Sequence, residues 1–336
     1  MTWLKLLGRM AGVLTACAAV LFAALPASAQ STQPRVKVRF VSSLSSSTFP
    51  VSYAIENGIF AKRGIDVELI QLADFQAVYT ALRTSAADIG SGGLASLINL
   101  RGNGVPVKVI WGTSLMLNDI LVKSGSGIKD PKELRGKDIG VFGGASGTTA
   151  NMAIAILADQ FGFDPRKEAR IRYGAPTLLA NMLAQGEIAA FISNDPTTAV
   201  ELATGRAVSI GELSELYAKQ HYGYRPYAGA LAVSDQFGRQ HPEAVNAFLG
   251  GWNEAVNVLQ GAPALWQPLL NKQMKIDDPK VADLLMKRFT PLWTSTWTKT
   301  NVDGEIEALK YMNKVAGKGF LERIPDDAFA LNFSPK

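Results

Sequence analysis

The run GGASGTT at residues 143–149 places glycines and short hydroxyls where a strand at residues 139–142 gives way to a helix at residues 152–161. Free backbone N–H groups at such a helix start, and the positive end of its dipole, suit an anionic group held by Ser146, Gly147, Thr148 and Thr149. The same residues serve equally as an ordinary turn with Ser146 or Thr148 as the cap. The turn lacks the lysine of a nucleotide-binding P-loop and no GxGxxG occurs, so nucleotide binding is not indicated. A second hydroxyl-rich loop, Ser45, Ser46, Ser47 and Thr48, offers groups that both donate and accept hydrogen bonds, or else a solvated cap. Gly92 and Gly93 let backbone approach a ligand closely, or make a tight turn. Asn194 and Asp195 end a further strand; Asp195 either faces a ligand that carries a donor or caps the helix after Pro196. Ser114 stands where the chain leaves its first series of elements. Tyr227, where it returns, offers an apolar wall and a hydroxyl, and Arg225 beside it can pair with a carboxylate or sulfonate. Both also suit plain hinge packing.

Other chemistries lack their residues. His221 and His241 are the only histidines and neither has a second ligand at metal spacing, so no metal or cofactor is expected and both read as surface or cap residues. Trp252, Trp266, Trp293 and Trp297 fall at core-like positions of a helical tail. No G-x-S-x-G elbow occurs.

The elements that must position these loops follow a regular order. Val36, Val38 and Phe40 alternate with Lys37 and Arg39 as in a strand, and a helix from Pro50 is stopped by Gly58. Strands at residues 65–72, 88–93 and 107–111 alternate with helix faces at Phe75, Val78, Tyr79, Leu82 and at Leu94, Leu97, Ile98. A second series has strands at residues 120–122, 139–142, 169–173 and 189–193, with a capped helix start at Asp130, Pro131 and Glu133. One more strand spans residues 228–233, and beyond Pro242 the chain is helical to about Gly317. Such alternation predicts an α/β protein with two mostly parallel sheets flanked by helices. The economical chain path crosses near residues 114–118, returns near Tyr227, and lays the C-terminal helices on the first sheet.

The first 29 residues differ in kind. Lys5 and Arg9 precede an apolar stretch at residues 10–25, and Ala27 and Ala29 frame a cleavage site before Gln30, the pattern of a secretory signal peptide. Residues 14–17 (LTAC) offer the alternative of a lipid anchor on Cys17, but the apolar run continues past that cysteine. Cleavage removes two of the 34 Lys and Arg and none of the 29 Asp and Glu, which lowers the formal net charge from +5 to +3. No basic stripe is present, so nucleic acid is excluded as a partner. Cleavage also removes the single cysteine, and with it any disulfide or thiol catalysis. The remaining length suits two domains.

The segments IENGIFAKRGIDVEL (55–69), ALRTSAADIG (81–90), IKDPKELRGKDIGV (128–141) and SNDP (193–196) together resemble the nitrate/sulfonate/taurine class of periplasmic binding proteins, related to the thiamine-pyrimidine-binding family. The resemblance covers residues 36–250, in order and spacing. It implies a two-lobed Venus-flytrap fold with lobe 1 at 30–117, lobe 2 at 118–226, and 227–336 completing lobe 1. It further implies a monomer that binds its ligand in the inter-lobe cleft and delivers it to an ABC permease and ATPase. It favours the ligand reading of GGASGTT. The chain departs from the family at Ala189, usually aspartate, and Ser85, usually glycine, both away from the expected cleft. Open parallel sheets independently place ligands at the carboxyl ends of their strands, where these loops lie.

Two function classes remain: a non-enzymatic periplasmic binding protein for a small organic anion or oxyanion such as nitrate, a sulfonate, taurine or an aromatic carboxylate, and an enzyme like the pyrimidine synthases of the same superfamily. The enzyme reading lacks the cysteines of that branch. A neutral heteroaromatic, a thiamine-pyrimidine precursor or a flavin, is the alternative ligand, and a sensing role beside transport stays open. Mass measurement on protein exported by its native host is expected to show an unlipidated chain beginning at Gln30; a diacylglyceryl Cys17 overturns the export assignment.

Overall fold

A computed structural model describes residues 34–335 apart from Leu44, Ser46, residues 317–319 and Glu322; the expected signal peptide and Cys17 lie outside the described residues. The chain runs β1 (Val36–Ser43), α1 (Thr48–Glu56), α2 (Ile59–Lys62), β2 (Ile65–Leu72), α3 (Phe75–Arg83), β3 (Ile89–Gly93), α4 (Leu94–Gly102) and β4 (Val107–Leu115). It continues through β5 (Asp119–Lys123), β6 (Asp138–Phe142), α5 (Thr148–Gln160), α6 (Pro165–Glu168), β7 (Arg170–Gly174), α7 (Pro176–Gln185), β8 (Ala190–Ile192), α8 (Thr197–Ala203), β9 (Ala207–Glu212) and α9 (Leu213–Gln220). It ends with β10 (Tyr227–Ser234), α10 (Asp235–Gln240), α11 (Pro242–Gly261), α12 (Trp266–Met274), α13 (Pro279–Phe289) and α14 (Lys299–Ala316).

Two five-stranded sheets result, ordered β2-β1-β3-β10-β4 and β7-β6-β8-β5-β9. They are mixed, not simply parallel: β10 runs antiparallel to β3 and β4, and β5 antiparallel to β8 and β9. These are the two strands that enter a sheet directly from the other one. A parallel pair reached through a helix must obey the right-handed crossover, and a strand arriving from elsewhere is free of it. The strand β9 escaped the sequence pattern because Ser209 and Gly211 interrupt its alternation and much of it is half-exposed. Ser85 adopts φ 58°, a left-handed backbone that glycine takes freely and serine does not.

The C-terminal helices divide their packing. The helix α11 lies on α1 and α2 through Phe248, stacked on Phe60 at 5.2 Å between ring centroids, as expected of a cover on the first sheet. The last helices reach further: α13 meets α8 and α14 meets α5. The cause is the composition of α5, whose residues from Ala150 through Leu157 are all buried, so one sheet cannot cover it. The tryptophans Trp252, Trp266, Trp293 and Trp297 are buried, as the core reading requires.

Glu305 on α14 ties the return crossing. It accepts from the Tyr224 hydroxyl at 2.7 Å and the Tyr227 amide at 2.8 Å. Burial pushes its carboxyl from 4.5 up to about 8, against the opposing pull of those two donors. Between these values the folded chain holds a proton that the unfolded chain has released. This contribution to stability is therefore full below about pH 4.5 and is lost as pH rises through about 8. Thermal unfolding of Glu305→Gln is expected to show a flatter decline between pH 5 and 8 than the parent; identical slopes contradict the assignment.

Candidate functional site

Register brings the first half of the site together. Gly229 on β10 pairs with Gly93 on one side and with Ser114 on the other, so three residues distant in sequence sit side by side at one edge of the first sheet. Around Gly229 three hydroxyls converge: a Cβ there would lie 2.7 Å from Thr113 Oγ1, 2.9 Å from Ser114 Oγ and 3.5 Å from Ser47 Oγ. Ser47 Oγ and Thr113 Oγ1 are themselves 3.0 Å apart and hydrogen-bonded. Only glycine leaves this cradle open.

The second half reaches over Gly93. Thr148, the first residue of α5, has its hydroxyl 3.2 Å from where a Gly93 Cβ would stand, so the start of α5 touches the end of β3. Gly147 caps α5 without any side-chain acceptor for the helix's first amides. The loop before it is shaped by Asn151, whose amide donates to the carbonyls of Ala145 and Gly147 at 3.0 and 2.9 Å. Thr149 donates to Asn118 Oδ1 at 3.3 Å, and Asn118 Nδ2 donates to the Ser193 carbonyl at 2.9 Å, which links the loops that end β6 and β8. Ser146 is exposed at the mouth.

Three polar atoms from these loops are buried with no protein partner: Ser45 Oγ, Thr148 Oγ1 and Asn194 Oδ1. Each comes from a loop singled out by sequence, and together they represent both sheets. Buried hydroxyls and amide carbonyls ordinarily find partners, which makes these three atoms candidates for contact with a ligand.

Other candidates are engaged internally. The Thr48 hydroxyl donates to the Ser45 carbonyl at 2.6 Å and accepts from its amide, closing the loop as a cap. Gly92 is explained by Tyr79, whose ring would stand 2.7 Å from a Cβ there, while the Gly93 amide donates to the Tyr79 hydroxyl at 3.0 Å. Burial raises the Tyr79 hydroxyl's pKa, partly offset by a hydrogen bond with Ser96. Asp195 is held by Arg288 at 2.8 Å and by the Ala199 amide at 3.1 Å, so its carboxylate serves as a cap and ion-pair partner. Tyr227 packs on Trp297 at 5.1 Å, and its hydroxyl accepts from Asn301 at 3.3 Å. Arg225 is bound to Glu212 and Ser214 at 3.2 and 2.9 Å, and His221 stacks on Tyr217 at 3.7 Å. Ser46 lies outside the described residues. Sequence reading missed Thr113, Gly229, Asn118 and Arg288. A hydroxyl pair at 113–114 ending a strand was the one available signal for Thr113, and nothing local marks the others.

The sheet orders, with one antiparallel strand in each, and the facing loops at strand ends define the fold of a periplasmic binding protein. The periplasmic aliphatic sulphonate binding protein SsuA of Escherichia coli superposes with a TM-score of 0.72 over 86% of this chain and 90% of its own, at 17% identity. The chain belongs to the NMT1/THI5-like family, whose model matches residues 45–264. A Bacillus subtilis (strain 168) protein named for binding aliphatic sulfonates is 26% identical over 72% of this chain and 71% of its own length. The 4-amino-5-hydroxymethyl-2-methylpyrimidine phosphate synthase of Schizosaccharomyces pombe is 24% identical over 60% of this chain, which spans 58% of the synthase's length.

Thr148→Val is expected to leave the ligand-free protein as stable as the parent or about 1 kcal/mol more so, because it removes an unpaired buried hydroxyl. Thr113→Val, which strips a partner from Ser47, is expected to cost about 1 kcal/mol in urea unfolding. Equal losses for both substitutions would place Thr148 in the structural network instead.

Proposed function

We propose that the chain is the extracytoplasmic solute-binding component of an ABC importer, a monomer exported to the periplasm. Its two lobes, divided at residues 117/118 and 226/227, close on one small organic anion or oxyanion. The unpaired buried atoms Ser45 Oγ, Thr148 Oγ1 and Asn194 Oδ1 carry this reading, since facing loops offer hydrogen bonds that no protein group takes up. The uncapped amides of α5 favour a negative end at Ser146–Thr148. The hydroxyls of Ser47, Thr113 and Ser114 meet it from the other side. An aliphatic or aromatic sulfonate, taurine, nitrate or an aromatic carboxylate fits such neutral donors, and the sulfonate class has the support of the Bacillus subtilis and Escherichia coli relatives.

One observation favours a second reading: Asn194 Oδ1 is an acceptor and calls for a donor on the ligand, as an aminopyrimidine or flavin carries. The similarity to the pyrimidine phosphate synthase leans the same way. Catalysis by that route finds little here. The chain's one cysteine falls in the leader, and both histidines sit in aromatic contacts, His221 on Tyr217 and His241 on Phe237.

A thermal-shift panel of alkanesulfonates, aromatic carboxylates, nitrate and aminopyrimidines is expected to single out one class, with about 2.7 kcal/mol of stabilisation at a hundredfold excess over Kd. Calorimetry with that compound should give one site per chain and return it chemically unchanged. Ser146→Leu should weaken binding at least tenfold while Lys62→Ala changes nothing. Turnover of the compound, or an indifferent Ser146→Leu, rules the proposal out.

A further inference from the structure

Arg288 and Phe289 are neighbours on α13 and serve opposite halves of the molecule. Phe289 packs against Phe49 of α1, a helix on the first sheet, at 6.0 Å, and against Trp266 of α12, itself stacked on Phe49, at 6.1 Å. Arg288 reaches the second sheet: its Nε donates to Asp195 Oδ2 at 2.8 Å and its Nη2 to Asp119 Oδ2 at 2.6 Å. Asp119 opens β5 and Asp195 follows β8, and their side chains are only 6% and 4% exposed, against 14% for the arginine.

One guanidinium therefore serves two buried carboxylates, and its fixed fork satisfies both only in one orientation. Burial pushes Asp195 up to about 6 even with Arg288 opposing the shift, so the cluster is strained toward needing its cation. A buried ion pair contributes little over an apolar packing of the same shape, but removal of one partner strands the other charge. The geometry specified here includes the loop that presents Asn194: the Ser193 amide donates to the Asp119 carbonyl at 2.9 Å, and Asp195 Oδ1 accepts from Ala199 at 3.1 Å. Asn194, with its unpaired buried carbonyl, stands between these two anchored residues. Separation of the two halves must break either the aromatic packing of Phe289 or the arginine's pairs.

We infer that Arg288 is a positioning residue for ligand capture, which clamps residues 193–196 from the first-sheet side and fixes the separation of the two halves. The inference rests on reading the cleft as the ligand site, and its test uses no ligand, so a wrong ligand class leaves it intact. Nitroxide labels at Gln76→Cys and Thr177→Cys, exposed positions at the starts of α3 and α7, report the separation of the halves in the full chain carrying Cys17→Ser. The otherwise unchanged chain is expected to give a distance distribution centred on that of the structure. Arg288→Met should broaden it toward longer separations, and Arg288→Lys should restore most of the short population. Should Arg288→Met fail to fold, the neutral triple variant Asp119→Asn, Asp195→Asn, Arg288→Met removes the stranded charges and is expected to show the same opening. A lowered unfolding midpoint with unchanged distances, or a lysine variant as open as the methionine one, overturns the inference.

Discussion

The strand β10 cannot be replaced by anything local. It lies inside the first sheet, between β3 and β4, yet reaches it only after the chain has built the whole second sheet. The first sheet is thus incomplete until the chain returns, and folding of one half requires the other to be threaded. The outgoing and returning segments bond to each other where they pass, the Met116 amide donating to the Pro226 carbonyl at 2.7 Å. The return places Gly93, Gly229 and Ser114 in one row beneath the start of α5.

Buried acids near the two chain crossings are answered locally: Asp119 and Asp195 by Arg288, Glu212 by Arg225 and the start of α9, Glu305 by Tyr224 and the Tyr227 amide. Burial raises Asp195, Glu212 and Glu305 above their ordinary values, which makes each dependent on its neighbours' geometry. The loops at the strand ends offer hydroxyls and backbone amides in place of charge. Groups of this kind bind by direction more than by long-range attraction.

Several sequence candidates are engaged within the protein. Thr48 and Asp195 have the side chains of ligand contacts, but each stands at a loop whose own backbone needs capping, and the nearer partner wins. Gly92 answers to the ring of Tyr79, one turn of chemistry away from the ligand surface it was expected to form.

The sequence by itself determined most of the elements and their order, and it marked the loops at the strand ends. Alternation along β1, the Pro and Gly boundaries of α1, and the GGASGTT turn are local signals, because side-chain period and backbone preference act within a few residues. It also marked Ser45, Thr148 and Asn194, whose atoms remain unpaired when folded. Tertiary structure alone decided which loops face one another, that β5 and β10 run against their neighbours, and that Arg288 stands between Asp119 and Asp195. Those pairings join residues 93, 114 and 229, or 119, 195 and 288, and no periodicity spans such separations. They arise when apolar faces such as that of α5 must be covered from both sides, and the packing that covers them selects the polar partners.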